Sequence, residues 1–589
     1  MSKRIGKEKE KREKFSLKDL VRFYTRFRIP VWMYLIALAL GVAFTEIVLI
    51  IAKQTIAFNK GELFNSVVIA YALLTVLNSV INAVQNIFSE VASLKVTYRA
   101  RLVVWEKILH LPQSEVDSRQ PSALISGVVN DVPTASTALE MVFRFFSSLY
   151  AFIRAVIEVF RYNGSLGSFM LLLIPLAILV FTIVGRTARE ASRRQYKSLR
   201  EMTEYFSEHI SAAKNVKTQA LEDREEKEGL AEINKRFKAD IFYAFMNVVQ
   251  TFSFSLYSNA STVMIAAFGS KLINENKMEK TGINDFSTYM GKVHQYTSEV
   301  LTHYQTVRST QGALAYVGAM LDGPQEEPDR GDAAPEDCGA ADIELQNVSF
   351  GYLPDVPVLK NLSLTIPGGK VTAVIGNNGS GKTTLLKLLQ GVYSPTSGTI
   401  LISGKDTAEI APHELRKQFG YILQNNPLFS GSVRDNITYG AEDAGEELIE
   451  RASSLADAHT FIGELPEGYD TDVGEGGKLL SGGQRQRVAI ARTLLTDPNY
   501  LLMDEAGASL DHRSDATIFR SVREALVGRT IILIAHDMRS VIEADHIIVL
   551  RSGELEAAGT HAELIKKSPT YRGYLEKQGF DMNEQEATV

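Results

Sequence analysis

The sequence predicts two dissimilar domains in one chain: an all-α membrane-spanning region of six helices, then an α/β domain with a largely parallel core sheet. Three observations carry this. The first half holds repeated runs of about twenty mainly apolar residues, the length that crosses a bilayer. The second half alternates short β-branched runs with helical ones. The average hides the contrast, at 45% apolar and a mean hydropathy of −0.03. A chain of 589 residues also exceeds what one core organises. The expected division is a basic segment 1–29, a membrane region 30–321, a linker 322–340, an α/β domain 341–580 and a tail 581–589.

Residues 1–28 carry eleven Lys or Arg against four Asp or Glu, without the small-residue cleavage site of a signal peptide. A basic segment just before the first apolar run places the N-terminus in the cytoplasm by the positive-inside rule. A nucleic-acid tail is the other reading, and the adjacent span argues against it. The net charge of −6 also gives no reason to expect nucleic acid as a partner. The single cysteine, Cys338, lies in a polar stretch, so an internal disulfide and a thiolate metal cluster are excluded.

The spans follow in order. The first runs near Val31–Ala52 and the second near Leu63–Phe88, with the polar loop Lys53–Glu62 outside. Ser89–Ser136 is too polar to span and contains a helix break at His110–Asp117. The third span, near Thr137–Tyr162, leads through a tight turn at Asn163–Gly167 into the fourth, Ser168–Val184. Gly185–Lys238 is charged and helical in pattern, hence cytoplasmic. The fifth span lies near Ile241–Ile273, and the sixth, near Phe286–Val307, is unusually polar.

Two of these spans carry ionisable stripes. On the third, Glu140, Arg144, Arg154, Glu158 and Arg161 fall within about 100° of one face. On the sixth, Tyr289, Lys292, Tyr296, Glu299 and His303 share about 80°. Charge in a span is costly and faces the bundle interior or a watery cavity. One reading makes Arg144, Arg154, Glu158, Tyr289, Lys292, Tyr296, Glu299 and His303 the lining of a substrate cavity. The other makes them an interhelical seam of ion pairs and hydrogen bonds.

In the second half, strand-like runs occur at Ile343–Leu345, Val371–Ile375, Thr399–Ile402, Tyr500–Met503, Thr530–Ile534 and His546–Leu550. Between the second of these and the helical Thr384–Leu389 lies Gly376-Asn377-Asn378-Gly379-Ser380-Gly381-Lys382-Thr383. This is the G-x-x-x-x-G-K-[ST] phosphate loop in its strand-to-helix context. Its glycines let N–H groups close around phosphates, Lys382 reaches the β- and γ-phosphates, and the Thr383 hydroxyl suits Mg2+. Further on, the apolar Tyr500–Met503 ends in Asp504-Glu505. Asp504 suits the Mg2+ shell and Glu505 a base that polarises the attacking water.

Leu480-Ser481-Gly482-Gly483-Gln484 completes the set. With these motifs in this order, the chain resembles the ABC ATPase family, and its six spans, long intracellular segments and single ATPase resemble an exporter-type half-transporter. The fold so implied is an all-α six-helix transmembrane domain followed by an α/β P-loop ABC ATPase domain. The likeness implies that Tyr352 stacks on adenine, that Gly376 to Thr384 hold the phosphates, and that Gln424 touches Mg2+. It implies that Ser481 to Gln484 meet the γ-phosphate bound to the other subunit, and that His536 senses the γ-phosphate. Thr471 to Gly477 resemble an exporter-type loop, Leu510-Asp511 an interface loop, and His110–Ser118 and Ala212–Thr218 the coupling helices. Asp504-Glu-Ala-Gly-Ala-Ser-Leu-Asp511 departs from the family's Asp-Glu-Ala-Thr-Ser-Ala-Leu-Asp, with the acids intact.

The activity implied is ATP hydrolysis coupled to transport, with ATP and Mg2+ as ligands. The expected assembly is a homodimer, with a heterodimer open, in a bacterial plasma membrane with the ATPase domain in the cytoplasm. The cargo expected is an exported amphiphilic or polar compound, whether peptide, drug-like or lipid-like. Import of a metal chelate is the alternative.

Overall fold

Backbone groups of a lipid-facing segment have to be satisfied within that segment, so the apolar runs fold as helices. The computed structural model describes residues 25, 29–59, 65–119, 121–275, 277–279, 282–326, 331–333, 341–353, 355–423, 427–504, 512–535 and 537–580. The chain divides into two units, residues 1–106 with 122–323, and residues 107–121 with 324–589. Before the first strand come α1 (Val31–Asn59), α2 (Asn65–Leu109), α3 (Gln113–Asp117), α4 (Pro121–Ser126), α5 (Val132–Tyr162), α6 (Gly164–Ser211), α7 (Ala213–Thr218), α8 (Glu222–Asn274), α9 (Gly282–Ser309) and α10 (Gln311–Asp322).

Each expected span has a helix over its described residues, in α1, α2, α5, α6, α8 and α9. Only two described stretches are long and apolar enough to cross a membrane on composition alone, Val31–Thr55 and Val68–Leu109. The reason for the rest lies in their residues. The ionisable stripe breaks the apolar run of α5, α9 is polar, and side chains in the middle of α6 lie outside the described residues. The helices outlast the spans: α8 has 53 residues, about 80 Å at 1.5 Å per residue.

The break expected at His110–Asp117 is present, since α2 stops at Leu109 and the five-residue α3 follows Pro112. The turn expected over Asn163–Gly167 is shorter than its sequence implied. Helix α6 restarts at Gly164, because the Asn163 side chain accepts the N–H groups of both Ser165 and Leu166 at 3.1 Å and caps the new helix.

Small residues set the packing of this unit. Ala151, Ala155 and Val159 of α5 let Phe286, Tyr289, Met290, Val293 and Tyr296 of α9 approach closely, and Ile265 and Leu272 of α8 close the cluster. The charged halves of α6 and α8 run together through Lys235–Glu201 at 2.7 Å, Gln195–Asp240 at 2.8 Å and Tyr205–Glu225 at 2.9 Å.

The second unit contains β1 (Ile343–Phe350), β2 (Leu359–Ile366), β3 (Val371–Gly376), β4 (Ser397–Ile402), β5 (Lys405–Asp406), β6 (Phe419–Ile422), β7 (Tyr500–Asp504), β8 (Thr530–Ile534), β9 (His546–Arg551) and β10 (Glu554–Gly559). Its helices are α11 (Lys382–Leu389), α12 (Pro412–Lys417), α13 (Val433–Ile437), α14 (Glu446–Leu455), α15 (His459–Gly463), α16 (Gly482–Leu495), α17 (His512–Ala525), α18 (Met538–Ile542), α19 (His561–Lys567) and α20 (Pro569–Lys577).

The strands make two sheets. One has the order β10-β9-β3-β8-β7-β6, parallel except for β10, and the other is antiparallel with the order β2-β1-β4-β5. All six strand-like runs in the sequence are strands, but those at β1 and β4 belong to the antiparallel sheet. Burial explains the split: β3, β7 and β8 are buried at every residue, whereas β2 alternates between buried and exposed. Neighbours along the parallel strands face opposite ways. Leu501, Ile531 and Ile547 pack with Val488 of α16, and Leu502, Ile532 and Ile548 pack with Leu385 and Leu389 of α11 and the second sheet.

Candidate nucleotide-binding site

Parallel strands bring their C-terminal ends to one edge, where an α/β sheet places its ligands. At that edge β3 ends in Gly376 and α11 begins at Lys382. The loop between them needs its glycines. Gly376 has φ +156°, and a Cβ there would lie 2.3 Å from the Leu550 carbonyl oxygen. Gly381 caps α11 at φ +98°, and its Cβ would lie 2.5 Å from a Leu359 methyl. Lys382 is buried and folds back over the loop, donating to the carbonyls of Gly376 at 2.8 Å and Asn377 at 3.3 Å.

Ser380 Oγ is buried and has no hydrogen-bond partner among the described atoms. Asn378, Gly379 and Thr383 are exposed. Asn377 Oδ1 accepts from the Tyr574 hydroxyl at 3.0 Å. A helix start, an orphaned hydroxyl, a glycine cradle and an ammonium resting on its own loop carbonyls together fit a polyanion.

Two strands away, β7 delivers Asp504 to the same edge, buried, with the Tyr421 hydroxyl donating to its Oδ2 at 3.4 Å. Burial first, and the Asp504 carboxylate second, push the Tyr421 phenol above its ordinary range. Glu505, Gln424, His536 and Leu510-Asp511 lie outside the described residues.

Ser481 starts α16 with a capping box. Its hydroxyl accepts the Gln484 N–H at 3.3 Å, and Gln484 Oε1 accepts the Ser481 N–H at 2.9 Å. The N–H groups of Gly482 and Gly483 are the two in this turn that the box does not use. Ser481 and Gly482 are exposed. In the preceding loop Gly474, Gly476 and Gly477 all take positive φ, as glycine permits.

Tyr352 is half exposed, with its hydroxyl 3.2 Å from Thr384 Oγ1 and its ring edge-on to Phe350 and Tyr393. The Lys387 ammonium lies 5.6 Å from its ring centre. An exposed ring fixed beside the phosphate loop offers a face to a planar base.

The candidate residues of the membrane region separate into several groups. Arg154 grips Glu46 of α1 with two parallel bonds of 2.7 and 2.8 Å and reaches Glu158 at 3.3 Å. Tyr150 donates to Glu46 at 2.6 Å, and Lys53 and Arg161 reach Glu158 at 3.1 and 3.2 Å. Arg144 pairs with Glu140 at 2.7 Å. Glu299 accepts from Ser148 at 3.3 Å and from Gln295 at 3.0 Å, and Lys292 donates to Gln295 at 3.5 Å. Tyr289 and Tyr296 are buried in the α5–α9 packing, and His303 Nδ1 is buried with no hydrogen-bond partner among the described residues.

Glu46, Lys53 and Tyr150 were not among the residues singled out from sequence. A signal for the first two existed: they are the only acidic or basic residues of α1, seven apart and so on one face.

Helices of membrane length joined in one chain to a glycine cradle for a polyanion define a membrane-bound, nucleotide-driven machine. Residues 30–309 match the ABC transporter transmembrane region, and residues 359–508 match the ABC transporter ATP-binding family. The chain is 32% identical over 502 residues to an uncharacterized ABC transporter ATP-binding protein of Bacillus subtilis, covering 84% of this chain and 82% of that one. It is 26% identical over 571 residues, 96% of each chain, to a multidrug resistance ABC transporter ATP-binding and permease protein of Lactococcus lactis. A solved bacterial Atm1-family ABC exporter with ATP bound shares its fold, at a TM-score of 0.83 and 24% identity, covering 94% of this chain and 98% of the other. This chain belongs to the ABC transporter family, with the exporter-type fusion of a helical transmembrane domain to an ATP-binding domain. It is a membrane protein that couples ATP hydrolysis to transport. Import of a metal chelate finds no support in these relatives.

Proposed function

We propose that the chain is one half of a dimeric exporter that moves an amphiphilic or polar compound out of the cytoplasm. The observation that carries the ATP chemistry is the Gly376–Thr383 cradle at the sheet edge that also holds Asp504. In this reading Lys382 leaves its loop carbonyls for the β- and γ-phosphates, while loop N–H groups and the Ser380 hydroxyl take further oxygens. Tyr352 stacks on the base. Thr383, Asp504 and Gln424 would hold Mg2+, which supplies charge neutralisation at the phosphates when bound. Glu505 accepts the proton of the attacking water, and His536 contacts the γ-phosphate.

Ser481 to Gln484 form a helix start that is exposed at Ser481 and Gly482, and the N–H groups of Gly482 and Gly483 would complete the site of a second copy. Two ATP molecules between two copies follow, with ATP binding the closed state better than the open one and so driving the switch. Six crossings, a cytoplasmic N-terminus and ATPase domain, and a bacterial plasma membrane belong to the same proposal. The basic first 28 residues and the bacterial relatives support it.

The cargo reading rests on the polar α9 and the charged stripe of α5. Because Arg154 and Glu158 are engaged with α1, Lys292, Glu299 and His303 are the better candidates to meet cargo. The multidrug name of the Lactococcus lactis relative supports an amphiphilic cargo.

The test is the chain expressed alone in nanodiscs, with its mass and ATP turnover measured beside Glu505→Gln. A dimer whose turnover falls at least about 100-fold in the variant is expected. A monomer with no turnover, inactive until a second ABC half is added, would overturn the homodimer.

A further inference from the structure

Within the second unit, the short helix α3 carries a bond that the ATP chemistry does not use. Asp117, at its last position, accepts a hydrogen bond from the Tyr393 hydroxyl, and Gln113 one turn earlier also donates to Asp117, at 2.7 Å. Tyr393 is 9% exposed. Its ring stands edge-on to Tyr352, 5.3 Å between centres at 89°, and tilts against Phe350 at 5.4 Å.

Lys387 of α11 sits over both tyrosines, at 5.6 and 5.7 Å from their ring centres. The Tyr393 bond holds the Asp117 carboxyl below its usual range, and burial with that carboxylate pushes the Tyr393 phenol up. One buried ring thus has α3 at its hydroxyl end and the exposed Tyr352 on its flank. In the chain, α3 is the connection between α2 and α4.

We propose that Tyr393 is a positioning residue that sets the Tyr352 ring for the nucleotide base according to whether α3 holds its hydroxyl through Asp117. The physical argument is the mismatch of the two sides. Tyr352 is half exposed and has one hydroxyl contact among the described residues, so its ring orientation depends on the rings of Phe350 and Tyr393 and on Lys387. Tyr393 in turn has one polar anchor, and a charge-assisted bond to a carboxylate fixes a phenol more firmly than water does. Movement of α3 would release that anchor, loosen the aromatic pair and weaken base stacking while leaving the phosphate loop intact. The proposal rests on the reading of Tyr352 as the base-stacking residue.

The experiment measures ATP and inorganic tripolyphosphate binding to the full-length chain in nanodiscs, in a Glu505→Gln background. Tyr352→Ala, Tyr393→Phe, Asp117→Ala, Asp117→Asn and the Asp117→Ala/Tyr393→Phe pair are compared. Tyr393→Phe and Asp117→Ala are each expected to raise the ATP Kd about threefold or more, the range of an aromatic pair's contribution. The double variant should be no weaker than either single one, Asp117→Asn should restore binding through its amide oxygen, and tripolyphosphate should bind unchanged throughout.

Unchanged ATP binding in Tyr393→Phe and Asp117→Ala, with weakened binding in Tyr352→Ala, would overturn the link alone. Unchanged ATP binding in Tyr352→Ala would overturn the stacking reading and the link with it. Equal loss of ATP and tripolyphosphate would mean that the variants disturb the fold of the site, and would also overturn the proposal.

Discussion

The phosphate loop of one unit and the α1–α5 charge network of the other handle polar groups in opposite ways. In the ATP-binding unit, polar groups near the phosphate loop are left unfinished: Ser380 Oγ has no partner among the described atoms, and Lys382 is satisfied by carbonyls of its own loop. Between α1 and α5, charges are paired off among themselves, with Arg154 alone making bonds to Glu46 and Glu158. A buried polar group without a partner costs about 1–3 kcal/mol. A site tolerates that cost where a ligand completes it, and a bundle relieves it by pairing helices. At the phosphate loop the unfinished groups fit a ligand's site, and the finished network of Glu46, Arg154 and Glu158 holds α1 to α5.

The sharpest separation comes from removing one charge on each side. Lys382→Ala should lower ATP turnover about 10²–10³-fold, because the ammonium acts on charge that develops in the reaction. Its thermal midpoint should move little by comparison, since the Gly376 and Asn377 carbonyls that lose its donation belong to the loop itself. An ATPase assay and a thermal scan on one preparation read both. A loss under tenfold would break the view that the loop is completed by phosphate.

Arg154→Met should give the opposite signature. It leaves Glu46 without its guanidinium, while Glu158 keeps Lys53 and Arg161, and breaking such a partly buried pair costs about 2–4 kcal/mol. Removing Glu46 as well should recover at least about 1 kcal/mol, since the two sites are in contact and do not add. Equilibrium unfolding of the single and double variants in nanodiscs measures this. Additive losses would show that the pair is not the seam the geometry depicts. A cargo role for Arg154 would instead appear as altered stimulation of turnover by a transported compound at unchanged stability.

The same contrast governs what could be read from sequence. The phosphate loop, Asp504-Glu505 and Ser481–Gln484 were legible because their spacing is set by local backbone: a strand, a turn that only glycine permits and a helix start. The strands β2, β5, β6 and β10 were passed over, β6 having only four residues and β10 forming a polar antiparallel edge. The second sheet was also missed, since an alternating strand such as β2 declares one wet face but not which sheet it joins. In the membrane unit the stripe on α5 was legible from periodicity. Its partners were not, because Glu46 lies 108 residues from Arg154 in the chain. Two lone charges in the apolar α1 were the available clue, and their cost in lipid is what demanded partners.

The smallest test uses identical chemistry in both units. Asn163 caps α6 with its side-chain oxygen, and Ser481 caps α16 with its hydroxyl. Replacing either by Ala should cost about 1 kcal/mol of stability, the ordinary value of a lost N-cap. The consequences should then diverge. Asn163 turns the chain between α5 and α6, and its cap serves only those helices, so Asn163→Ala should lower the thermal midpoint and leave ATP turnover per folded molecule within about twofold. Ser481 sits on the exposed turn whose Gly482 and Gly483 N–H groups the capping box does not use, and the box fixes that turn. Ser481→Ala should therefore shift the midpoint by a similar amount and also reduce turnover at least tenfold, an effect that Ser481→Thr, which keeps the hydroxyl, should largely reverse. Equal effects on turnover from both caps would erase the distinction between a helix start that serves the fold and one that serves a ligand.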